Sequence, residues 1–448
     1  MRRPRALFIT YLYPPVGGMS PKVALNYSRA LSRGGWDVDV VTPAPSDHHP
    51  VYKLDESLRG VEVENVRVHR TFPGPFYWLG CRAVRAGAGG ARPVDRRRTG
   101  PPAPATNGAG RAARMRALYR ALVRPWILPD GRADWLPWAL AECRRLLARG
   151  RYDMLLTYGY PYTCHVVGLL LHRRRPMPWV IHHGDLWSFM PGLSLPRWRK
   201  SVDRRLEGAV LRRVSRVIVN TEAAVDGYAD EFPEIPRSRF AVVPTGYDGP
   251  LYRCAVPERS SLLRLVYTGV IVDGVTAHLT LLDALAAARR RGAAELECLM
   301  AGNFPQALHD RAARCGLGDA LEIRGFQPSR TIAGLQKGAG ALVLFGMPGQ
   351  FQVPSKLYEY YAARRPLLVI RAGDGDLAAA DVERRRRGFV VDNEARRLTD
   401  ALLRLHTLWK QGALDTEFDL AGVPALTWEV AGDRFLEAIA GVTVDDHG

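Results

Sequence analysis

Short runs of apolar residues alternate with longer amphipathic stretches along most of the chain. Such runs are typical of strands buried on both faces of a parallel sheet, and apolar residues at every third or fourth position are typical of helices. The predicted strands are residues 6–10, 38–42, 61–70, 152–157, 179–187, 217–222, 240–248, 263–269, 297–302, 321–326, 341–345 and 367–370. The main predicted helices are residues 20–32, 115–149, 355–365 and 398–440. This alternation predicts an α/β protein.

Length and composition indicate a soluble globular protein. A chain of 448 residues with 47% hydrophobic and 24% charged residues can form two domains with full cores. Its six cysteines are scattered, with no C-x-x-C pair and no His cluster at ligand spacing, so we expect reduced thiols and no metal. No apolar run approaches the ~20 residues that cross a bilayer, and no signal peptide is recognised. We therefore expect a cytoplasmic location.

The positive charge is concentrated in one segment. Of the net +18, a net +8 lies in residues 82–116, which hold nine Arg and one Asp. Because residues 86–116 contain almost no large apolar residues, we expect them to be disordered. They are either a solvated loop or a surface attracted to the inner face of an anionic membrane, at ~1 kcal/mol per basic residue. Trp126, Trp135 and Trp138 follow, either at such an interface or on a packed core face. Nucleic acid is not an expected partner.

The segment from Val353 to Pro366 reads V-P-S-K-L-Y-E-Y-Y-A-A-R-R-P. A helix is predicted to begin near Ser355, whose side chain can cap free amides, and to end before Pro366. Lys356 and Glu359 are then three residues apart on one face, near the helix end that favours anions. The pattern fits a site for a phosphorylated ligand, and it also fits an ordinary helix with a surface Lys–Glu pair.

Other candidate residues lie where predicted strands end. Gly17 and Gly18 open a helix after the first strand and either let backbone amides approach an anion or form a plain turn. His183 and Asp185 lie at the end of another strand, where ligand groups gather in open α/β sheets, although a histidine there is also commonly structural. Further strands end in glycine at positions 269 and 302, which permits close backbone approach.

These segments resemble the family 4 retaining glycosyltransferases over almost the whole chain outside the Arg-rich stretch. The family's signature helix, roughly P-S/G-K-L/F-x-E-Y-x-A-A-x-x-P, is matched by residues 354–366. Residues 13–18 (YPPVGG) look like its opening motif, residues 183–187 (HGDLW) like its strand-end R/H-D-x-W, and residues 242–248 (VVPTGYD) like its hinge V-I-P-N-G-Y-D.

The resemblance implies the GT-B architecture, two Rossmann-like domains facing each other across a cleft. Residues 1–255 would be the acceptor-side domain, residues 256–425 the nucleotide-sugar-binding domain, and residues 426–448 a terminal helix that crosses back, with a short tail. It also implies transfer of a sugar, with retention, from a nucleotide diphosphate-sugar to a glycan, lipid-linked or small-molecule acceptor. No cofactor and no metal is implied.

Residue roles follow from the same resemblance. Glu359 would bind the ribose and Lys356 would face the diphosphate, while His183 and Asp185 would face the acceptor hydroxyl or the donor sugar. The remaining residues expected in the donor site are Gly17, Gly18, Gly269, Gly302, Phe326 beside the base, Ser355 and Leu357. We expect His183, Asp185 and Lys356 to take part in catalysis, and no Asp or Glu is recognised as a general base.

Two departures from the family pattern bear on mechanism. The usual Glu before the ribose-binding one is replaced by Phe351, between Gln350 and Gln352, and no Arg or Lys follows Gly269 before residue 279. Missing cations at a leaving diphosphate weaken catalysis. One alternative is therefore a degenerate, non-catalytic GT-B protein that binds an anionic lipid surface or nucleic acid. A nucleotide-sugar epimerase is the other, although the Gly-Gly loop and the 354–360 helix match transferases better.

Overall fold

The computed structural model describes residues 2–48, 52–88, 126–190, 195–271, 276–347, 349 and 351–442. The chain divides into two compact units. The first unit comprises Met1–Val219, Tyr228–Ala241 and Phe435–Gly448, and the second comprises Asn220–Gly227 and Val242–Arg434. The predicted division after residue 255 falls inside the second unit.

The first unit is built on a seven-stranded sheet in the order β3-β2-β1-β4-β5-β6-β7. Its strands are β1 Arg5–Ile9, β2 Asp37–Pro43, β3 Val66–Thr71, β4 Met154–Gly159, β5 Trp179–His183, β6 Arg216–Val219 and β7 Phe240–Val242. The pairs from β3 through β6 are parallel. Because β1 pairs with both β2 and β4, the strand order reverses beside β1, which is where α/β sheets open a crevice.

Helices connect these strands. They are α1 Met19–Arg33, α2 Pro75–Ala88, α3 Leu136–Arg149, α4 Thr163–His172, α5 Arg197–Leu211 and α6 Glu222–Glu231, of which only the part from Tyr228 belongs to this unit. The end of the last helix of the chain also belongs to this unit, where Phe435 stacks on Tyr27 of α1 with ring centroids 4.1 Å apart. Both rings are almost fully buried.

The second unit has a six-stranded parallel sheet in the order β10-β9-β8-β11-β12-β13. Its strands are β8 Leu263–Val270, β9 Leu296–Asn303, β10 Leu321–Arg324, β11 Ala341–Phe345, β12 Leu367–Arg371 and β13 Gly388–Asp392. The helices are α7 Gly249–Cys254, α8 Ala277–Arg290, α9 Gln306–Arg314, α10 Ser329–Gly338, α11 Lys356–Ala363, α12 Leu377–Arg384, α13 Ala395–Lys410, α14 Leu414–Glu417 and α15 Trp428–Ile439, whose end passes to the first unit. The α/β class and the division into two Rossmann-like sheets are confirmed.

Several local predictions are wrong. The strand expected over residues 61–70 begins only at Val66, and the helix expected over residues 398–440 breaks after Lys410, because glycines and Pro424 interrupt residues 411–427. Residues 86–88, expected to be disordered, end helix α2, while residues 89–116 lie outside the described part.

The helix expected over residues 115–149 is seen only from Leu136; residues 115–125 lie outside the described part. Trp135, considered for a membrane interface, is fully buried and donates its indole N–H to Thr71 Oγ1 at 2.7 Å. Among the described residues, no helix combines the length and hydrophobicity needed to span a membrane.

Candidate functional site

In the second unit, strands β8 and β11 separate towards their carboxyl ends. Their pairing is restricted to Leu265 with Ala341 and Val266 with Leu342. Two residues further, the backbone amide of Thr268 donates to the hydroxyl of Tyr360, on α11, at 3.2 Å. A side chain therefore satisfies an amide that the neighbouring strand no longer pairs. The separation lies at the point where the strand order reverses, the usual ligand crevice of such sheets.

A chain of buried hydrogen bonds fixes the helices around this crevice. Gln336, on α10, donates through Nε2 to Thr268 Oγ1 at 2.8 Å, and its Oε1 accepts from the hydroxyl of Tyr252 on α7. Together with Tyr360, these side chains are almost fully buried. Because each broken bond would leave a buried polar group unsatisfied at ~1–3 kcal/mol, α7, α10 and α11 are held in one arrangement against β8.

Two glycines bring the backbone edge of the sheet close to α11. Gly269 and Gly302 are paired across β8 and β9, with φ angles of 153° and 147° that disfavour other residues. A Cβ on Gly302 would lie 1.7 Å from the carbonyl oxygen of Gly269, and a Cβ on Gly269 would lie 3.4 Å from Cε of Lys356. The structure thus places the predicted residues Gly269, Gly302 and Lys356 together.

Lys356 and Glu359 form an ion pair at the start of α11. The Nζ and Oε2 atoms are 3.1 Å apart, and the side chains are 31% and 9% exposed, so the pair is not on an open surface. Burial, and next the negative charge of Glu359, raise the pKa of Tyr252 well above its ordinary value. The arrangement offers a carboxylate, which accepts hydrogen bonds from hydroxyls, beside an ammonium and a helix N-terminus, which favour phosphate.

The other residues expected in the donor site lie in different surroundings. Ser355 is at the N-cap position of α11, but its side chain makes no capping hydrogen bond, so the predicted capping role is wrong. The Leu357 side chain is 1% exposed within the apolar core of the unit. Phe326 is half exposed and follows β10, the edge strand two positions from β8. Arg371, a possible replacement for the missing cations, is paired with Asp392 at 3.2 Å.

In the first unit, Tyr158 on β4 links the two predicted strand-end segments. Burial raises the pKa of Tyr158, and the neighbouring Ser20, in the first turn of α1, opposes the shift. On its other side, a Cβ on Gly184 would lie 3.0 Å from the Tyr158 hydroxyl. The start of α1, which Gly18 precedes, and the loop after β5 are therefore brought together. The amide of Gly17 is not available to a ligand, because it donates to the carbonyl of Lys53 at 2.8 Å.

His183 is a neutral, buried imidazole. It is 2% exposed. Burial, and next the neighbouring His182, lower its pKa to about 3, while the backbone of Asp185 opposes the shift. At neutral pH the ring can therefore take part in hydrogen bonds but carries no charge. Asp185 is only partly buried, so its carboxylate is the more accessible of the two predicted groups.

Two residues that sequence reasoning missed hold the loop carrying His183 and Asp185. Tyr162 donates its hydroxyl to the carbonyl of Leu186 at 2.6 Å and stacks on Trp187. Glu207, on α5, is fully buried and accepts hydrogen bonds from the amide of Ser188 at 3.0 Å and the hydroxyl of Tyr228 at 2.9 Å. Burial raises the pKa of Glu207 to about 7. Nothing local in the strongly basic segment 197–213 distinguishes this glutamate in the sequence.

Comparisons with known proteins agree with these features. Residues 97–249 match the family model described as Glycosyltransferase Family 4. No curated protein matches the chain. Sucrose-phosphate synthase from Thermosynechococcus elongatus shares the fold at 17% identity and a TM-score of 0.64, covering 97% of this chain and 98% of that one.

Two further solved structures have the same fold over nearly the full length. HepE of Anabaena, in complex with UDP and glucose, has 15% identity and a TM-score of 0.58, covering 98% of this chain and 96% of its own. A UDP-N-acetylglucosamine 2-epimerase from Listeria monocytogenes, so described in its structure, has 11% identity and a TM-score of 0.58, with the same coverages. At such identities the likeness shows the fold alone, and it confirms the predicted GT-B architecture.

Proposed function

We propose that this chain, whose residues 97–249 match the Glycosyltransferase Family 4 model and whose two units have the GT-B fold, transfers a hexose from a nucleotide diphosphate-sugar to an acceptor. The observation that carries the proposal is the largely buried Lys356–Glu359 pair at the crevice between β8 and β11. An ordinary ion pair on the surface of a helix would be exposed and would not lie beside a crevice of the sheet. The fold is shared with a protein whose structure holds UDP and glucose, which supports a nucleotide-sugar donor.

The proposed mechanism is electrostatic. Glu359 accepts hydrogen bonds from the ribose hydroxyls, and Lys356 contacts the diphosphate. During transfer, the bond between the anomeric carbon and the diphosphate oxygen breaks as the acceptor oxygen bonds to that carbon. Negative charge grows on the departing diphosphate, where Lys356 and the first amides of α11 stabilise it. The departing phosphate takes the proton of the acceptor hydroxyl, with retention at the anomeric carbon, and no metal or cofactor takes part.

The first unit is assigned the acceptor. Gly18, the neutral His183 and the accessible Asp185 would orient the acceptor hydroxyl by hydrogen bonds. Their polar character fits a glycan, a lipid-linked sugar or a small molecule. In this scheme the reaction takes place in the cytoplasm.

The first experiment is thermal unfolding of the purified protein with a panel of nucleoside diphosphates and nucleotide sugars. A ligand at a hundred times its Kd should stabilise the fold by ~2.7 kcal/mol. We expect one nucleotide series to raise the melting temperature of the wild type but not of Glu359→Gln. Glu394→Gln is the matched control, because Glu394 pairs with Arg397 at the same i,i+3 spacing but on an exposed surface. No shift with any nucleotide, or an undiminished shift in Glu359→Gln, would contradict the proposed donor site.

Turnover then separates the proposal from its two alternatives. Release of nucleoside diphosphate that depends on added acceptor indicates transfer, and Lys356→Ala should reduce its kcat about 10²–10³-fold, the usual effect of losing one group that stabilises developing charge. Conversion of the nucleotide sugar to its epimer without an acceptor would instead indicate the epimerase, whose fold this chain also shares. Binding of nucleotides without either reaction would favour the degenerate protein, consistent with the missing cations after Gly269.

A further inference from the structure

Helix α2 is firmly attached to the first unit by its N-terminus and by one face. The backbone amides of Phe76 and Tyr77 donate to one carboxylate oxygen of Asp134 at 2.8 and 3.3 Å. Tyr77 and Cys81, one turn apart, are buried against the body of the unit. The orientation of the helix is therefore fixed, and its opposite face is turned to solvent.

That outer face is unusually apolar. Four large side chains on or before α2 and one on α3 are extensively exposed: Phe72 40%, Phe76 71%, Trp78 45%, Leu79 54% and Trp138 45%. We call these five residues the aromatic patch. Phe72 and Trp138 are in edge-to-face contact with ring centroids 5.1 Å apart, so the segment that precedes α2 meets the first turn of α3. Soluble monomers rarely expose contiguous apolar surface of this kind without a partner.

The charged side chains of helix α2 itself have one sign. Helix α2 contains Arg82 and Arg85, both exposed, and no Asp or Glu. The Arg82 guanidinium lies 4.7 Å from the centroid of the Trp78 ring, so cationic and aromatic groups share one surface. In the sequence, residues 65–129 contain 13 Arg, no Lys, and Asp95 as the one acidic residue. The combination of exposed Trp, Phe and Leu with Arg is typical of helices that lie in the interface of an anionic membrane.

We propose that the aromatic patch, with Arg82 and Arg85, docks the first unit on an anionic lipid surface. Trp, Phe and Leu enter the boundary between headgroups and acyl chains, and the guanidinium groups contact lipid phosphates. A nucleic acid would use the arginines but leaves Phe76 and Leu79 without a role.

The experiment is vesicle flotation of the full chain with phosphatidylcholine alone and with phosphatidylcholine plus phosphatidylglycerol. We expect binding to the anionic vesicles, weakened by added salt. Arg82→Gln/Arg85→Gln should bind about 25-fold more weakly, at about fivefold per arginine. Phe76→Gln/Leu79→Gln should bind anionic vesicles about tenfold or more weakly, because it lacks two apolar side chains that leave water on binding. Val256→Gln is the control, since Val256 is 77% exposed but lies in the second unit.

The fold of each variant is checked by circular dichroism and thermal unfolding, so that loss of binding is not loss of structure. The flotation result does not depend on sugar transfer, and it can fail while the proposed enzymatic function stands. Equal binding to both vesicle types would overturn the proposal. So would undiminished binding of Phe76→Gln/Leu79→Gln, which would assign vesicle binding to other basic residues. A third result would also overturn the proposal. If the wild type dimerises without vesicles and Phe76→Gln/Leu79→Gln does not, the patch is the contact surface for a second copy of the chain.

Discussion

Replacing Tyr360 by phenylalanine removes one hydroxyl from the centre of the candidate donor site. The Thr268 amide, which donates to that hydroxyl at 3.2 Å, is fully buried where β11 has already separated from β8. No strand can take over the bond, and the ring itself is retained. The variant should therefore be less stable by ~1–3 kcal/mol, the desolvation cost of one unsatisfied buried amide. Packing should contribute little to this loss.

Tyr358→Phe is a matched control on the same helix. Tyr358 is also buried, 7% exposed, but its hydroxyl makes no hydrogen bond with the described residues. Its removal should change stability by no more than about 0.5 kcal/mol. The local assay is hydrogen exchange followed by mass spectrometry on a peptide spanning β8, in which the Thr268 amide should lose protection in Tyr360→Phe alone. Thermal unfolding gives the global effect, about 2–4 °C for each kcal/mol in a unit of this size.

A functional consequence follows, because Tyr360 holds α11 against β8. If α11 shifts, the Lys356–Glu359 pair moves relative to Gly269, and stabilisation by the nucleotide that binds the wild type should decrease in Tyr360→Phe but not in Tyr358→Phe. Equal stability, equal protection of Thr268 and equal nucleotide effects in the two variants would refute the reasoning. The hydroxyl would then have no part in setting the position of the helix.

Two further predictions concern the first unit. Because burial raises the pKa of Glu207 from its usual 4.5 to about 7, its ionisation is unfavourable in the folded state. The protonated side chain therefore stabilises the fold fully below pH ~4.5, and this stabilisation, about 3 kcal/mol, is lost as the pH rises through 7. The melting temperature should fall accordingly between pH 4 and pH 8. In Glu207→Gln, which cannot ionise, this fall should be smaller. Phe435→Ala, which removes the ring stacked on Tyr27, should cost about 3–5 kcal/mol in denaturant unfolding and expose the end of α15 to proteolysis; unchanged stability and cleavage would contradict that packing.

Much of the fold could be predicted because its signals are local. An apolar run such as residues 341–345 is typical of a buried strand wherever it occurs, and β11 has those bounds. The position of Lys356 and Glu359 at the start of a helix could be predicted in the same way, since Pro354 and Pro366 bracket the segment. Their ion pair is partly buried, which does not fit the interpretation as a surface Lys–Glu pair, and the site for a phosphorylated ligand stays a prediction.

The interactions that hold the site in place could not be predicted in this way. Gln336 and Tyr360 lie 68 and 92 positions from Thr268 in the sequence. A single Gln or Tyr in a helix is usually read as a surface or core residue, and only the packing of α10 and α11 against one strand shows that both serve the same buried backbone. Glu207 was missed for the same reason. Its partners, on a loop and on α6, lie 19 and 21 positions away in the sequence.

The Lys356–Glu359 pair brings the ammonium and the carboxylate of the candidate donor site together. Lys356 Nζ lies 3.1 Å from Glu359 Oε2, and this pairing offsets part of the cost of burying charge. In the proposed donor site the same ammonium would serve both the diphosphate and Glu359. Removing Lys356 would thus remove the proposed phosphate contact and also the ion pair with Glu359. The two residues therefore act as one unit, and the losses caused by their single substitutions should not add in the double variant.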